Sequence, residues 1–271
     1  MPDKQYVSDF YREDARKHGL SPFAAVHDDV LREKETVLIG RFFEVLAAAR
    51  GDGGFRALDL GCGNGYMLSI LSDAHPDFAF WGADLSAEMI ALAHSRRLEN
   101  CVLEVADCGV LPYDDGFFDA VYTERCLINI LDWGEKQRAL AEIHRVLAPG
   151  AHYLMIEGFS DGLENNNRAR QECGLSRLSA PRHNAYFDKD EFRQWVEGRF
   201  DIVAPEAFDE AGGGAGLEAN FLSSHYFMSR VFHALVTRGE QVKNTEFVKF
   251  FSFLPPIGNY SPIQALILKK P

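Results

Sequence analysis

A run of ten residues contains the side chains and turns best suited to bind a small organic molecule. Positions 57–66 read Ala-Leu-Asp-Leu-Gly-Cys-Gly-Asn-Gly-Tyr, so that Asp59 precedes glycines at 61, 63 and 65. Glycine has no Cβ, and such a turn therefore lets the backbone approach a ligand closely. The spacing departs by one residue from the G-x-G-x-x-G fingerprint of dinucleotide binding, because the third glycine comes early. A carboxylate beside the turn suits a cationic ligand better than a pyrophosphate.

Further acidic residues follow the predicted strands. Asp84 comes 25 positions after Asp59, at the end of the next strand, where an acidic side chain is expected to bind the hydroxyls of a ribose. The same placement at strand ends is shared by Asp59, Asp84, Asp107, Glu124 and Glu157. Ligands of parallel sheets bind outside the carboxyl ends of the strands. The sequence therefore predicts that these carboxylates meet at one edge of a sheet.

The pattern of strands and helices predicts the fold that positions them. Short apolar runs predict strands at 55–60, 78–83, 102–106, 118–123, 152–156, 201–203 and 263–268. Helical spacing and capping residues predict helices at 8–17, 29–49, 66–71, 87–97, 133–147, 188–197 and 221–236. Alternating strands and helices indicate an α/β fold with a doubly wound, mostly parallel, Rossmann-like sheet of about seven strands. Residues 158–181 are polar and are expected to form a loop.

We expect one domain over residues 1–271, made of three parts. Residues 1–50 form an N-terminal helical lid, 51–157 form the ligand-binding core, and 158–271 form a substrate-side elaboration with a helical insertion at about 206–260.

Composition limits the partners and the compartment. The formal net charge of −12 opposes binding of nucleic acid. No run approaches the roughly 18 apolar residues of a membrane span, and the first residues lack a signal-peptide pattern. Five cysteines without a C-x-x-C pair indicate reduced thiols and a cytoplasmic protein. The oligomeric state is left open.

Two further motifs complete a family resemblance. Phe117-Phe118-Asp119-Ala120-Val121 lies at the fourth strand, and Arg145-Val146-Leu147-Ala148-Pro149-Gly150 follows a helix. Together with the D-x-G-x-G-x-G turn and Asp84, they resemble class I S-adenosylmethionine (SAM)-dependent methyltransferases. The resemblance implies SAM as cofactor and S-adenosylhomocysteine as product. The residues that it assigns to the cofactor are Asp59, Gly61, Cys62, Gly63, Asn64, Gly65, Asp84, Leu85, Met89, Asp107, Cys108 and Glu124. Asp119 is expected to be a turn or cap residue instead.

The acceptor of the methyl group is less determined. The signature of adenine methylation is absent after the fourth strand, and no Pro-Cys pair supplies the nucleophile of cytosine methylation. No Asp-Asn pair supports a catechol-type magnesium site, and no metal is expected. The layout resembles stand-alone bacterial methyltransferases of sugars and small metabolites, which implies a small-molecule acceptor, most simply a hydroxyl oxygen.

An oxygen acceptor benefits from a general base, for which histidine is the usual side chain. His183 is preferred because its segment follows the fifth strand, with His27 and His225 as alternatives. The expected substrate-binding residues are Asn184, Tyr186 and Tyr226. Two alternatives remain: a C- or N-methyltransferase acting on a lipid, quinone or polyketide-like acceptor, and a SAM-binding protein without transferase activity.

Overall fold

The computed structural model describes residues 4–24, 26–51, 53–237 and 244–271. Within them, seven strands form one sheet in the order β3-β2-β1-β4-β5-β7-β6. The strands are β1 (Phe55–Leu60), β2 (Phe78–Asp84), β3 (Cys101–Val105), β4 (Phe118–Glu124), β5 (Leu147–Gly158), β6 (Asp201–Val203) and β7 (Ile263–Lys269). β1 to β5 run parallel, and β7 runs antiparallel to β5 and β6. The predicted fold class is confirmed.

Helices cover both faces of the sheet. They are α1 (Lys4–His18), α2 (Asp29–Ala49), α3 (Tyr66–Ala74), α4 (Ala87–Ser95), α5 (Trp133–Val146), α6 (Ser160–Glu172), α7 (Lys189–Val196), α8 (Pro205–Phe208), α9 (Ser223–Phe227), α10 (His233–Val236) and α11 (Glu246–Ser252). A 3₁₀ turn spans Leu127–Asn129, and a π-helical segment at Met228–Phe232 joins α9 to α10. The central strands are nearly continuous apolar runs because both of their faces are covered.

The two halves of the N-terminal segment have different surroundings. α2 packs in the core, since Leu38, Ile39, Phe42 and Phe43 are at most 1% exposed. α1 instead contacts α4 at the edge of the ligand-binding side of the sheet. α1 and the turn after it are therefore placed to cover that side.

The segment expected to be a loop contains a helix, α6, and that expectation was wrong. Its sequence reads as polar because it holds three consecutive asparagines. Two of them are buried and bond to distant backbone: Asn166 Nδ2 donates to Tyr260 O at 3.0 Å, and Asn167 Nδ2 donates to Leu178 O at 3.0 Å. Tertiary hydrogen bonds therefore stabilise a helix whose composition alone favours a loop.

Candidate functional site

A pocket of about 860 Å³ opens at the carboxyl ends of β1, β2 and β4. Residues from α1, from the glycine turn and from the segments after β2, β3 and β4 line it. Eleven of the twelve predicted cofactor-binding residues lie on its wall: Asp59, Gly61, Cys62, Gly63, Asn64, Asp84, Leu85, Met89, Asp107, Cys108 and Glu124. The twelfth, Gly65, directly precedes α3 and does not line the pocket. The fold therefore brings eleven of the twelve predicted residues to one site.

Glycine is required at two positions of the turn. Gly61 has a φ of +86°, and a Cβ there would lie 2.6 Å from Cys126 Cβ. Gly65 has a φ of +72°, and a Cβ there would lie 3.0 Å from Ala93 Cβ. L-residues with a side chain rarely adopt this left-handed region. The turn is therefore built for close packing against the loop after β4 and against α4.

The amides of the turn bond to the protein itself. Gly61 N and Cys62 N both donate to Ala83 O, at 2.7 and 3.1 Å. Gly63 N donates to Asp84 Oδ2 at 3.0 Å. A pyrophosphate site needs such N–H groups directed at the ligand. Here they fix the turn to the end of β2, which suits a ligand without phosphate groups.

Asp84 is held in one orientation at the end of β2. Its Oδ1 accepts from Ser86 N at 2.8 Å, while Oδ2 accepts from Gly63 N. Burial raises the pKa of Asp84, and the two backbone donors oppose that shift. Because a carboxylate oxygen can accept more than one hydrogen bond, Asp84 can still accept from two hydroxyls of a ligand.

Asp59 is buried beneath the turn. Tyr122 donates its hydroxyl to Asp59 Oδ2 at 2.6 Å, across the adjacent strands β1 and β4. Burial raises the pKa of the Asp59 carboxyl, which is only 3% exposed. Asp59 therefore forms the floor of the pocket, and Tyr122 sets its orientation.

Two arginines and two glutamates form a buried network beside the pocket, at the end of β4. Arg32 pairs with Glu124, and Arg125 donates to Glu124 at 3.0 Å and to Glu35 at 2.8 Å. Burial raises the pKa of Glu35 to about 8. Although burial opposes ionisation of Glu124, Arg32 and Arg125 lower its pKa to about 2. Burial therefore opposes ionisation of Glu35 beside Arg125, and the positive charge of Arg32 and Arg125 favours an anionic group in the pocket.

Sequence reasoning did not find this network as a unit. Arg125 directly follows β4 with a φ of +55°, and Glu35 lies on α2, so nothing in the local sequence relates them. Their pairing depends on how α2 packs against the end of β4.

Glu157 serves the backbone rather than the pocket. Its carboxylate accepts from the amides of Cys126, Leu127 and Ile128 at 3.1, 2.9 and 3.0 Å. It is fully buried and does not line the pocket. Glu157 therefore shapes the 3₁₀ turn after β4, which carries pocket residues of its own.

α1 and the turn after it cover the pocket. The residues of α1 that line the pocket are Val7, Ser8, Tyr11 and Arg12. Arg12 Nε lies 3.1 Å from Glu88 Oε1 on α4, which links the cover to the far rim.

The side chain of Asn64 fastens the turn after α1. Asn64 Nδ2 donates to Gly19 O at 2.8 Å and to Ser21 O at 3.0 Å. Arg96 adds a bond to Leu20 O at 2.9 Å. The side chain of Asn64 is thus used by the protein, whatever its backbone contributes to a ligand.

Of the described residues, no histidine lines the pocket. The His183 ring stacks on Phe10 with 4.1 Å between centroids and meets Tyr11 edge-on at 6.2 Å. Burial lowers the pKa of His183, which favours the neutral ring. His183 therefore contacts Tyr11 of the pocket wall but does not itself line the cavity.

The two alternative bases lie elsewhere. His225 is 1% exposed, with Nδ1 at 2.8 Å from Ser252 Oγ and Nε2 at 2.9 Å from Asp28 Oδ2. His27 Nε2 lies 3.5 Å from Asp14 Oδ1. Neither of these two histidines lines the pocket.

The expected substrate-binding residues lie behind the pocket, near β5 and α9. Asn184 Oδ1 is buried and has no hydrogen-bond partner among the described residues. Tyr186 packs on Gly158 at the end of β5, and burial raises its pKa to about 12. Tyr226 is packed against the core, with Arg230 over its ring at 6.0 Å. None of these three residues lines the pocket.

Comparison with known proteins places the core among methyltransferases. Residues 57–150 match a family described as a methyltransferase domain. The chain is 39% identical over 106 residues to a demethylmenaquinone methyltransferase of Thermus thermophilus, covering 38% of this chain and 46% of that protein. It is 32% identical over 147 residues to a malonyl-[acyl-carrier protein] O-methyltransferase of Herminiimonas arsenicoxydans, covering 52% of each chain. It thus spans about half the length of these curated relatives.

Solved structures support the fold over the whole chain. A Haloferax volcanii chain solved in complex with the Trm112 methyltransferase activator aligns with a TM-score of 0.56 at 18% identity. The alignment covers 98% of this chain and 97% of that one. Within the described part of the protein, we find no helix with the length and apolar character needed to cross a membrane.

Proposed function

We propose that this chain, whose residues 57–150 match a methyltransferase domain, is a class I SAM-dependent methyltransferase that methylates a small-molecule acceptor. The observation that carries the proposal is the covered pocket: the glycine turn and Asp84 form one side, and α1 closes the other. A cavity of this size beneath a helix suits a cofactor with a small acceptor better than a polymer.

The residues present fit SAM, which supplies an electrophilic methyl group on a sulfonium. Asp84 is oriented to accept from ribose hydroxyls. Leu85 and Met89 offer apolar contact for an adenine, and Asp107 and Cys108 lie beside them on the wall. Arg32 and Arg125 provide positive charge for the carboxylate of the methionine part, and Asp59 lies on the floor for its amino group. We propose these roles for the cofactor-binding set.

For the acceptor we propose first a hydroxyl oxygen. Several polar side chains beyond the cofactor set line the pocket and can bind a hydroxylated molecule: Ser8, Tyr11, Asn129, Asp132, Glu135 and Arg138. Methyl transfer is an in-line displacement, so that alignment of the acceptor supplies much of the catalysis. We propose His183, which contacts Tyr11, as the base. The proposed substrate contacts are Asn184, Tyr186 and Tyr226.

A carbon or nitrogen acceptor is the second candidate. The absence of histidine from the described pocket wall favours it, because an activated carbon or a neutral amine needs alignment more than a base. The relative named for demethylmenaquinone supports a quinone-like acceptor of this kind.

We propose that α1 and residues 19–24 act as the lid of this single-domain enzyme. The lid contributes pocket residues and is held by Asn64 and by Arg12–Glu88. The second helix of the N-terminal segment, α2, is buried against the sheet instead.

Two measurements test the proposal. Calorimetry should detect binding of SAM and S-adenosylhomocysteine and no binding of NAD; the reverse result would reject the family-based assignment of the pocket. SAM with a labelled methyl group is then incubated with a panel of sugars, phenols, amines and quinols. Label should appear in an acceptor with the native chain and not with Asp84→Ala. Tight SAM binding without transfer to any acceptor class would instead favour a SAM-binding protein without transferase activity.

A further inference from the structure

Three possible metal ligands from two segments converge in the N-terminal region. Asp14 and His18 lie one turn apart on α1, and His27 lies just before α2. Asp14 Oδ1 is 3.7 Å from His18 Nε2 and 3.5 Å from His27 Nε2. The three ligand atoms all lie within 4.8 Å of one another. Tetrahedral zinc with bonds of about 2.0–2.1 Å holds its ligand atoms roughly 3.4 Å apart, so that small side-chain rotations suffice to bind an ion.

The buried Nε2 atom of His18 is not satisfied by a hydrogen bond to the rest of the cluster. Both distances to Asp14 Oδ1 exceed those of a normal N–H···O bond. Nε2 of His18 is buried and has no hydrogen-bond partner among the described residues. Leaving a buried polar atom unsatisfied is unfavourable, because the atom has lost its hydrogen bonds to water. A metal ion bound to this nitrogen would remove that cost.

The donor set indicates the kind of ion. Two imidazoles and one carboxylate suit Zn²⁺ and similar borderline cations, whereas Mg²⁺ and Ca²⁺ prefer oxygen ligands. The His27 side chain is 49% exposed, which leaves a path for the ion and space for a water as fourth ligand. The sequence, which has no Asp-Asn pair, predicted no metal. In the fold, His27 lies beside Asp14 and His18 of α1.

We propose that Asp14, His18 and His27 bind one Zn²⁺-like divalent cation that fastens α1 to the start of α2. The ion would close the loop between His18 and His27. That loop also presents the Gly19 and Ser21 carbonyls to Asn64 on the glycine turn. Metal binding therefore stabilises the closed position of the lid, whichever acceptor the enzyme uses.

The test is a competition titration of the full chain, stripped of metal, against a chromophoric zinc chelator. The native chain should bind one equivalent of Zn²⁺. Loss of an outer-shell partner alone typically weakens a metal site about 10–100-fold, so loss of a ligand in His27→Gln or Asp14→Asn should cost at least roughly 100-fold. The matched control is His94→Gln, an exposed histidine on α4, which should bind as the native chain does.

Two further readouts separate this site from the five thiols. Co²⁺ should give visible absorption without a thiolate charge-transfer band, and Zn²⁺ should raise the melting temperature of the native chain and not of His27→Gln. No zinc binding, equal binding by His27→Gln, or a strong thiolate band would overturn the proposal. None of these measurements needs a methyl acceptor, so the metal site can fail while the proposed function holds.

Discussion

The side-chain amide of Asn64 donates to the carbonyl oxygen of Gly19 at 2.8 Å, which joins the glycine turn to the segment that covers it. A second bond, to Ser21 O at 3.0 Å, comes from the same nitrogen. The residue that a family motif assigns to the cofactor therefore also controls the cover. We therefore expect cofactor affinity and closure of the proposed lid to be coupled through this side chain.

We expect Asn64→Ala to loosen the lid. Loss of two hydrogen bonds at about 0.5–1.5 kcal/mol each should favour opening by roughly 5- to 150-fold. Amide exchange in residues 5–24, measured by mass spectrometry, should accelerate, and SAM should bind more weakly. Asn165→Ala, which removes a 2.9 Å bond to Asn259 O far from the pocket, is the control. Unchanged exchange in Asn64→Ala would show that α1 is held by other contacts.

We expect Asp84→Ala to weaken SAM binding by about 1.5–3 kcal/mol, the range for hydrogen bonds to a charged group. Asp119→Ala is the matched comparison. Asp119 accepts from Arg56 N at 2.8 Å and lies outside the pocket wall, so its loss should lower the melting temperature and leave affinity unchanged. Calorimetric titration of both variants decides the matter. Equal losses of affinity would mean that Asp84 acts only through the fold.

Glu35 should make stability depend on pH. Its pKa is raised by burial to about 8 in the folded protein, against about 4.3 in an unfolded chain. Between these values the folded state binds more protons, so its free energy of unfolding falls as pH rises from about 5 to 8. Below that window the contribution is fully present.

Glu35→Gln should flatten this part of the profile, because glutamine does not titrate. Denaturant unfolding at half-unit steps from pH 5 to 9 measures the slope. Glu33→Gln, exposed on the same helix, should keep the native slope. If Glu35→Gln also keeps the native slope, the Glu35 carboxyl is ionised in the folded protein over this whole pH range and balances the charge of Arg125.

The strands and turns that depend on local sequence patterns were predicted correctly. β1, β2 and β4 are apolar runs ended by a glycine turn or an acidic residue, and such signals lie within a few positions of one another. α6 was missed because its stability comes from Asn166 and Asn167 bonding to distant carbonyls. The Arg125–Glu35 pair and the cluster around Asp14 were missed for the same reason. Each joins residues that only packing of the N-terminal helices brings together.

The last prediction concerns the proposed base. With an oxygen acceptor, His183→Ala should lower turnover by roughly 10²–10⁴-fold, the usual effect of removing a general base. SAM affinity should change little, because His183 packs on Phe10 and Tyr11 and not on the cofactor wall. His27→Ala and His225→Ala are assayed beside it for turnover and for SAM binding. His225→Ala should also lower the melting temperature, since it removes buried bonds to Ser252 and Asp28. Normal turnover by His183→Ala with loss in one of the others would move the base. Activity in all three would show that alignment in the pocket suffices, and a carbon or nitrogen acceptor would then be preferred.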